Sequence, residues 1–126
     1  MIENINFIKL DNHIKKGIIE ALIFASEDPL DIDTLVKLVI PDFHINRNDD
    51  NKEAMDLTQE FISQNEDLKN EIKNIIISIN SELLENDRPY QIIEVAGGYQ
   101  FTTRKEYGYY IHKLYKSKLN RKLSQA

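Results

Sequence analysis

Cysteine is absent from the 126 residues, so disulfides, thiol catalysis and cysteine-ligated zinc are excluded, in keeping with a reducing compartment. Long apolar runs are missing as well. The longest, Ala21 to Ala25, falls far short of the roughly 20 residues that a membrane span requires, and the first ten residues lack the basic-then-apolar layout of a secretory signal. A soluble, cytoplasmic chain with no membrane contact is expected. The only histidines, His13, His44 and His112, form no pair at i, i+3 or i, i+4, and so indicate no helical metal site. No glycine loop followed by Lys-Ser or Lys-Thr is present to cradle a phosphate, and nothing in the pattern sets two carboxylates in an apolar pocket. The sequence therefore offers no catalytic, cofactor-binding or metal-ligating residues, and an enzyme is not expected.

Positive charge is also in short supply. The chain carries 21 acidic and 16 basic residues, a formal net charge of -5, whereas a free-standing nucleic-acid binder is usually basic on at least one face. The bases are unevenly spread: Lys113, Lys116, Lys118, Arg121 and Lys122 crowd the final stretch, and no acidic residue follows Glu106.

The most informative segment is Tyr90 to Phe101, where two apolar-rich runs meet at Gly97-Gly98. It predicts a β-hairpin with that glycine pair as the turn. A lone hairpin is marginal in water and must lean on other elements. What precedes it is helical. Ile14, Ile18, Ala21, Leu22 and Ala25 share one face of a helix over 13–25, which Asp11 or Asn12 can cap and which Pro29 follows. Ile32, Leu35, Val36 and Val39 predict a short helix capped by Asp31 and closed by Pro41. Leu68, Ile72, Ile75, Ile76, Ile79 and Leu83 predict a long one. A further helix is expected over 105–115, with Tyr107, Ile111, Leu114 and Tyr115 on one side. The polar stretch 42–65 reads as an insertion with an amphipathic helix after the loop Asn48 to Asn51.

Helices followed by one late hairpin give the fold class: mostly α with a small β-hairpin, a winged helix-turn-helix. The expected layout is an N-terminal extension over 1–11, the winged-helix domain over 12–115 and a basic linker over 116–126.

In a DNA-reading winged helix, the third helix must present Arg, Lys, Asn or Gln to base edges and phosphates. Here it carries Glu66, Asp67, Glu71, Glu82 and Glu85 against Lys69 and Lys73, and the wing tip has no base. Direct nucleic-acid binding through this helix is not expected, because each phosphate contact needs a cation. The candidate protein interface comprises Ile19, Ile23 and Phe24, which widen the first helix's apolar surface beyond one stripe, Ile77, opposite the third helix's stripe, and the adjacent Tyr109 and Tyr110. The alternative is a DNA-binding transcriptional regulator making weak backbone contacts through Lys116, Lys118, Arg121 and Lys122.

Three blocks together resemble the segregation and condensation protein B family: Ile18-Ile19-Glu20-Ala21-Leu22-Ile23-Phe24-Ala25-Ser26-Glu27-Asp28-Pro29-Leu30, then Glu94-Val95-Ala96-Gly97-Gly98-Tyr99-Gln100-Phe101-Thr102-Thr103-Arg104, then Lys122-Leu123-Ser124-Gln125-Ala126. The resemblance implies a non-enzymatic subunit of bacterial condensin that forms a homodimer and binds the kleisin subunit, and through it the structural maintenance of chromosomes protein. No cofactor is implied. The family pattern continues into a second winged-helix domain, so this chain is expected to be an amino-terminal half. The implied role is in chromosome condensation and segregation.

Overall fold

The structure is a computed structural model that describes residues 6–40 and 65–124, with side chains through Asn120. In chain order it consists of a 3-10 turn (Phe7–Lys9), α1 (Asn12–Ala25), α2 (Ile32–Val39), α3 (Glu66–Glu85), strands β1 (Tyr90–Val95) and β2 (Gly98–Thr103), a second 3-10 turn (Lys105–Tyr107) and α4 (Gly108–Ser124).

The helix ends follow from local chemistry. Asp31 caps α2, its carboxylate accepting from the Thr34 amide at 2.7 Å, and this bond holds the carboxyl below its ordinary pKa. Asn65 caps α3 in the same way, accepting from the Leu68 amide at 3.1 Å. Asp11 occupies the capping position of α1 but its side chain makes no capping bond. At the end of α3, Arg88 N donates to Leu83 O and Asp87 N to Leu84 O, with Asp87 at φ 52°. That is a left-handed helix stop, filled here by aspartate where glycine is usual.

α3 is the axle of the fold. Leu68, Ile72, Ile75, Ile76, Ile79 and Leu83 are all buried on one stripe of it, as their spacing predicts. Leu35 and Val36 of α2, Ile92 of β1, and Ile19 and Ile23 of α1 complete the core. Ile19 and Ile23 were candidates for a partner surface, and the structure corrects this: they are 0% and 1% exposed. The buried ridge of α1 runs Lys15, Ile19, Ile23 at i, i+4, i+8, while Ala21 and Ala25 of the expected face are exposed. Apolar residues lie nearly all round α1, so periodicity alone did not fix which ridge turns inward. Lys15 is tolerated there because its ammonium lies 2.5 Å from a Glu71 carboxylate oxygen and 5.6 Å from the Phe7 ring centre. Phe7, 3% exposed, belongs to the core, so the body begins inside the segment expected to be an extension. No neighbour lies within 4 Å of a Cβ added at Gly17, so no close approach accounts for that glycine.

The hairpin pairs Tyr90 with Thr103 through to Val95 with Gly98. Its two-residue turn is therefore Ala96-Gly97, at φ 51° and 79°, not Gly97-Gly98. Positive φ at both central positions is the type I′ signature that matches strand twist. Gly98 instead opens β2 and serves a different need: a Cβ there would come within 2.9 Å of Pro29. That contact accompanies an isolated antiparallel pair, in which Tyr99 N donates to Leu30 O at 2.7 Å and Leu30 N to Tyr99 O at 3.0 Å. The wing is thereby joined to the α1–α2 turn. Asn80 fixes its other strand to α3, donating to Ile92 O at 2.9 Å and accepting from Ile92 N at 2.8 Å.

One expectation about the C-terminal part is corrected. The helix does not stop at Tyr115 but continues to Ser124, because neither proline nor glycine interrupts the sequence after Gly108; residues 116–124 of the expected basic linker are thus helical. α4 packs little on the core: Ile111 is half-buried and every other residue from Gly108 to Asn120 is exposed. Most of the expected insertion and Pro41 lie outside the described residues.

Asn80→Ala removes both bonds to a strand residue that is 4% exposed. It is expected to cost about 1–3 kcal/mol in urea unfolding, whereas the exposed Asn74→Ala is expected to stay within about 0.5 kcal/mol of the parent.

Candidate protein interface

Three exposed apolar surfaces emerge from these elements. The first is aromatic. Phe24, 77% exposed near the end of α1, meets the Phe101 ring edge-to-face with centroids 6.0 Å apart, and Phe101 meets Tyr90 in the same manner at 5.9 Å. Such pairs contribute about 0.5–1.5 kcal/mol beyond their area burial. Phe24 was read from the sequence as interface, and the structure places it in the open; Tyr90 and Phe101, its neighbours, were read only as strand residues.

The second surface is the outer face of α3. Ile77 and Leu84, seven residues apart, are both exposed, with the small polar Asn70, Asn74 and Ser81 along the same side. Beside it, a groove against α1 is lined by Asn12, Lys16, Asp67, Asn70, Glu71, Asn74, Ile75 and Ser78. Lys16 reaches Glu82 at 2.6 Å, and Lys69 lies 3.1 Å from Asp33 and 3.5 Å from Glu66. The hydrogen bond to Asp33 is the main cause that raises the Lys69 pKa. These pairs turn two cations toward the protein's own carboxylates and away from any external phosphate.

The third is α4. Ile111, Leu114, Tyr115 and Leu119 form a helical stripe whose last three members are 48%, 65% and 58% exposed. The sequence places the first three on one side of a helix ending at Tyr115, and the stripe's continuation to Leu119 is the available signal of a longer one. Tyr109 and Tyr110, both exposed, pack against each other with ring centres 5.3 Å apart, and the Lys113 ammonium sits 4.7 Å over the Tyr109 ring. Lys116 and Lys118 are exposed on the same helix, while the side chains of Arg121 and Lys122 lie outside the described residues. The structure thus leaves Phe24, Ile77, Tyr109 and Tyr110 on the surface but does not gather them into one patch of contacts. Gly97 is at the exposed wing tip and Gly98 is buried.

Among the described residues, no group of three or more His, Asp or Glu side chains is placed to hold a metal, and no helix is long and apolar enough to cross a membrane. The pKa of the Tyr99 phenol is raised, mainly by burial and then by the nearby Glu94 carboxylate.

The structure is a helical body with a hairpin wing, and comparisons with known proteins say what it is similar to. The sequence profile for "Segregation and condensation complex subunit ScpB" matches residues 17–126. The chain belongs to the ScpB family. Among curated relatives, segregation and condensation protein B of Alkaliphilus oremlandii is 29% identical over 117 residues, covering 93% of this chain and 49% of the relative. The protein of the same name from Clostridium perfringens strain SM101 is 31% identical over 111 residues, covering 88% and 44%. The chain spans about half the length of the curated relatives it matches.

Solved structures share the fold. A conserved hypothetical protein from Chlorobium tepidum superposes with a TM-score of 0.60 at 23% identity, covering 90% of this chain and 56% of that one. ScpB from Mycobacterium tuberculosis gives 0.55 at 16% identity, covering 88% and 53%. The winged-helix fold is established by this likeness together with the hairpin topology.

Phe24→Ser removes an exposed ring that meets Phe101 edge-to-face. The expected outcome in urea unfolding is a loss of no more than about 1.5 kcal/mol, against about 2–5 kcal/mol for the buried Ile72→Ala.

Proposed function

We propose that this chain is a non-enzymatic, homodimerising scaffold subunit of the bacterial condensin assembly, acting in chromosome condensation and segregation. Its partners on this reading are a second copy of itself, the kleisin subunit (segregation and condensation protein A) and, through kleisin, the structural maintenance of chromosomes protein. Work on the chromosome implies a cytoplasmic, nucleoid-associated location.

The observation that carries the dimer is α4. A helix of 17 residues with almost no buried side chain among those described, Gly108 to Asn120, has little beyond its own propensity to hold it, and isolated helices near this length are marginal even when alanine-rich. α4 contains a glycine at its start and three tyrosines, so its stripe gains its stability by burial against another surface. Family membership supplies the assembly in which that surface has a use. The sign of α3 supports protein over DNA as the partner: five acidic residues stand against two basic ones along it, and electrostatic attraction to phosphate is the main source of non-specific DNA affinity.

Light scattering across a dilution series is expected to give a mass near twice 14.8 kDa at high concentration, and purified kleisin subunit is expected to shift the dimer to a larger species. A strict monomer that leaves kleisin unbound contradicts the proposal.

A further inference from the structure

We infer that α4 of one copy docks antiparallel on the outer face of α3 of the second copy, and reciprocally, so that the homodimer is held by two exchanged helices and not by α4 pairing with α4. The inference rests on the dimer reading above and assigns it a surface.

Two exposed features need covering, and their chemistries match. α4 presents Ile111, Leu114, Tyr115 and Leu119, while α3 presents Ile77 and Leu84 among small polar residues that let a helix approach closely. α4 carries five basic residues and no acidic one; α3 carries a net excess of three acidic residues. Lys118 decides between the possible occupants. It follows Ile111 by seven residues and Leu114 by four, so it falls within the apolar stripe and comes close to whatever the stripe covers. Two α4 helices packed stripe to stripe would bring like charges together, whereas α3 offers Glu66 and Asp67 in its first turn.

Chain connectivity sets the direction. Arg104 N donates to Pro89 O at 2.8 Å and the Arg104 guanidinium to Arg88 O at 3.0 Å, which ties the approach to α4 to the segment just after α3. In a twofold dimer with the C-terminal ends of the two α3 helices facing each other, each α4 therefore starts beside the partner's α3 C-terminus and runs toward its N-terminus. At 1.5 Å rise per residue, α4 spans about 25 Å of the roughly 30 Å of α3. Seating Ile111 over the partner's Ile77 sets Tyr107 about one turn from the partner's Leu84, and Lys118 beside the partner's Asn70, about one turn from the partner's Asp67. The antiparallel arrangement also opposes the helix dipoles favourably.

The test is a charge cycle read as the dimer dissociation constant by sedimentation at low salt, using the 126-residue chain. Lys118→Glu and Asp67→Lys both change exposed side chains, and circular dichroism checks that each variant keeps the parent's helix content. Each single variant is expected to weaken the dimer about fivefold, the scale of one favourable surface ion pair, and the double variant is expected to recover most of that loss. If the parent is a dimer but Lys118→Glu leaves its dissociation constant unchanged or tightens it, the helix exchange is wrong while dimerisation stands; tightening is the result that an α4–α4 pairing gives. If the parent is a monomer at every concentration, the dimer reading falls and the exchange falls with it.

Discussion

The structure depends on one apolar stripe. Six side chains on a single face of α3, four of them isoleucine, are the surface against which α1, α2 and the wing all pack. Burying each contributes about 1.5–3 kcal/mol relative to leaving it exposed. Because α1, α2 and β1 all meet this helix, its orientation decides what is left outside: Ile77 and Leu84 are exposed for the same geometric reason that Ile76 and Leu83 are buried. The outer face of α3 is a consequence of the core, and its polarity is the part free to specify a partner. A DNA-reading protein would place bases there. This chain places asparagines, a serine, two aliphatic residues and acidic ends.

The wing depends on main-chain pairing more than on side-chain bulk. Leu30 and Tyr99 exchange both backbone bonds, Gly98 leaves the room for that exchange, and Asn80 substitutes its amide for a third strand at Ile92. A two-stranded hairpin alone is marginal; with these clamps it is fastened on one side to the α1–α2 turn and on the other to α3. The wing thus stiffens the body, and its tip, Ala96-Gly97, is free of charge. α4 stands outside this system. It begins one 3-10 turn after the wing's last strand, and its described side chains gain almost nothing from the body it leaves.

Much of this was legible in the residues. The α3 stripe, the Asp31 cap and the hairpin were readable because each is a local signal: a 3.6-residue period, a side chain three residues from an amide, glycines between β-branched runs. The family was readable from three blocks at consistent separations. What was misread required knowledge of distant neighbours. Ile19 and Ile23 read as surplus because α1 is apolar nearly all round, and only the position of α3 selects the inward ridge. Gly97-Gly98 read as the turn because both residues tolerate positive φ; the pairing register moved the turn back to Ala96-Gly97, and the need for Gly98 arises from Pro29, sixty-nine residues earlier. Phe7 read as part of an extension because a single aromatic carries no period. Tyr107, Ile111, Leu114 and Tyr115 have the same spacing as core residues, and sequence spacing does not distinguish a stripe that packs on its own chain from one that packs on another.

The central claim is that the body is self-supporting and α4 is not. Amide hydrogen exchange measured at high and low protein concentration tests this directly, since protection reports the free energy of local opening. The account predicts protection in α3 that is independent of concentration and protection in α4 that rises as the protein is concentrated. Equal, strong protection of α4 at every dilution in a chain that remains monomeric would contradict it.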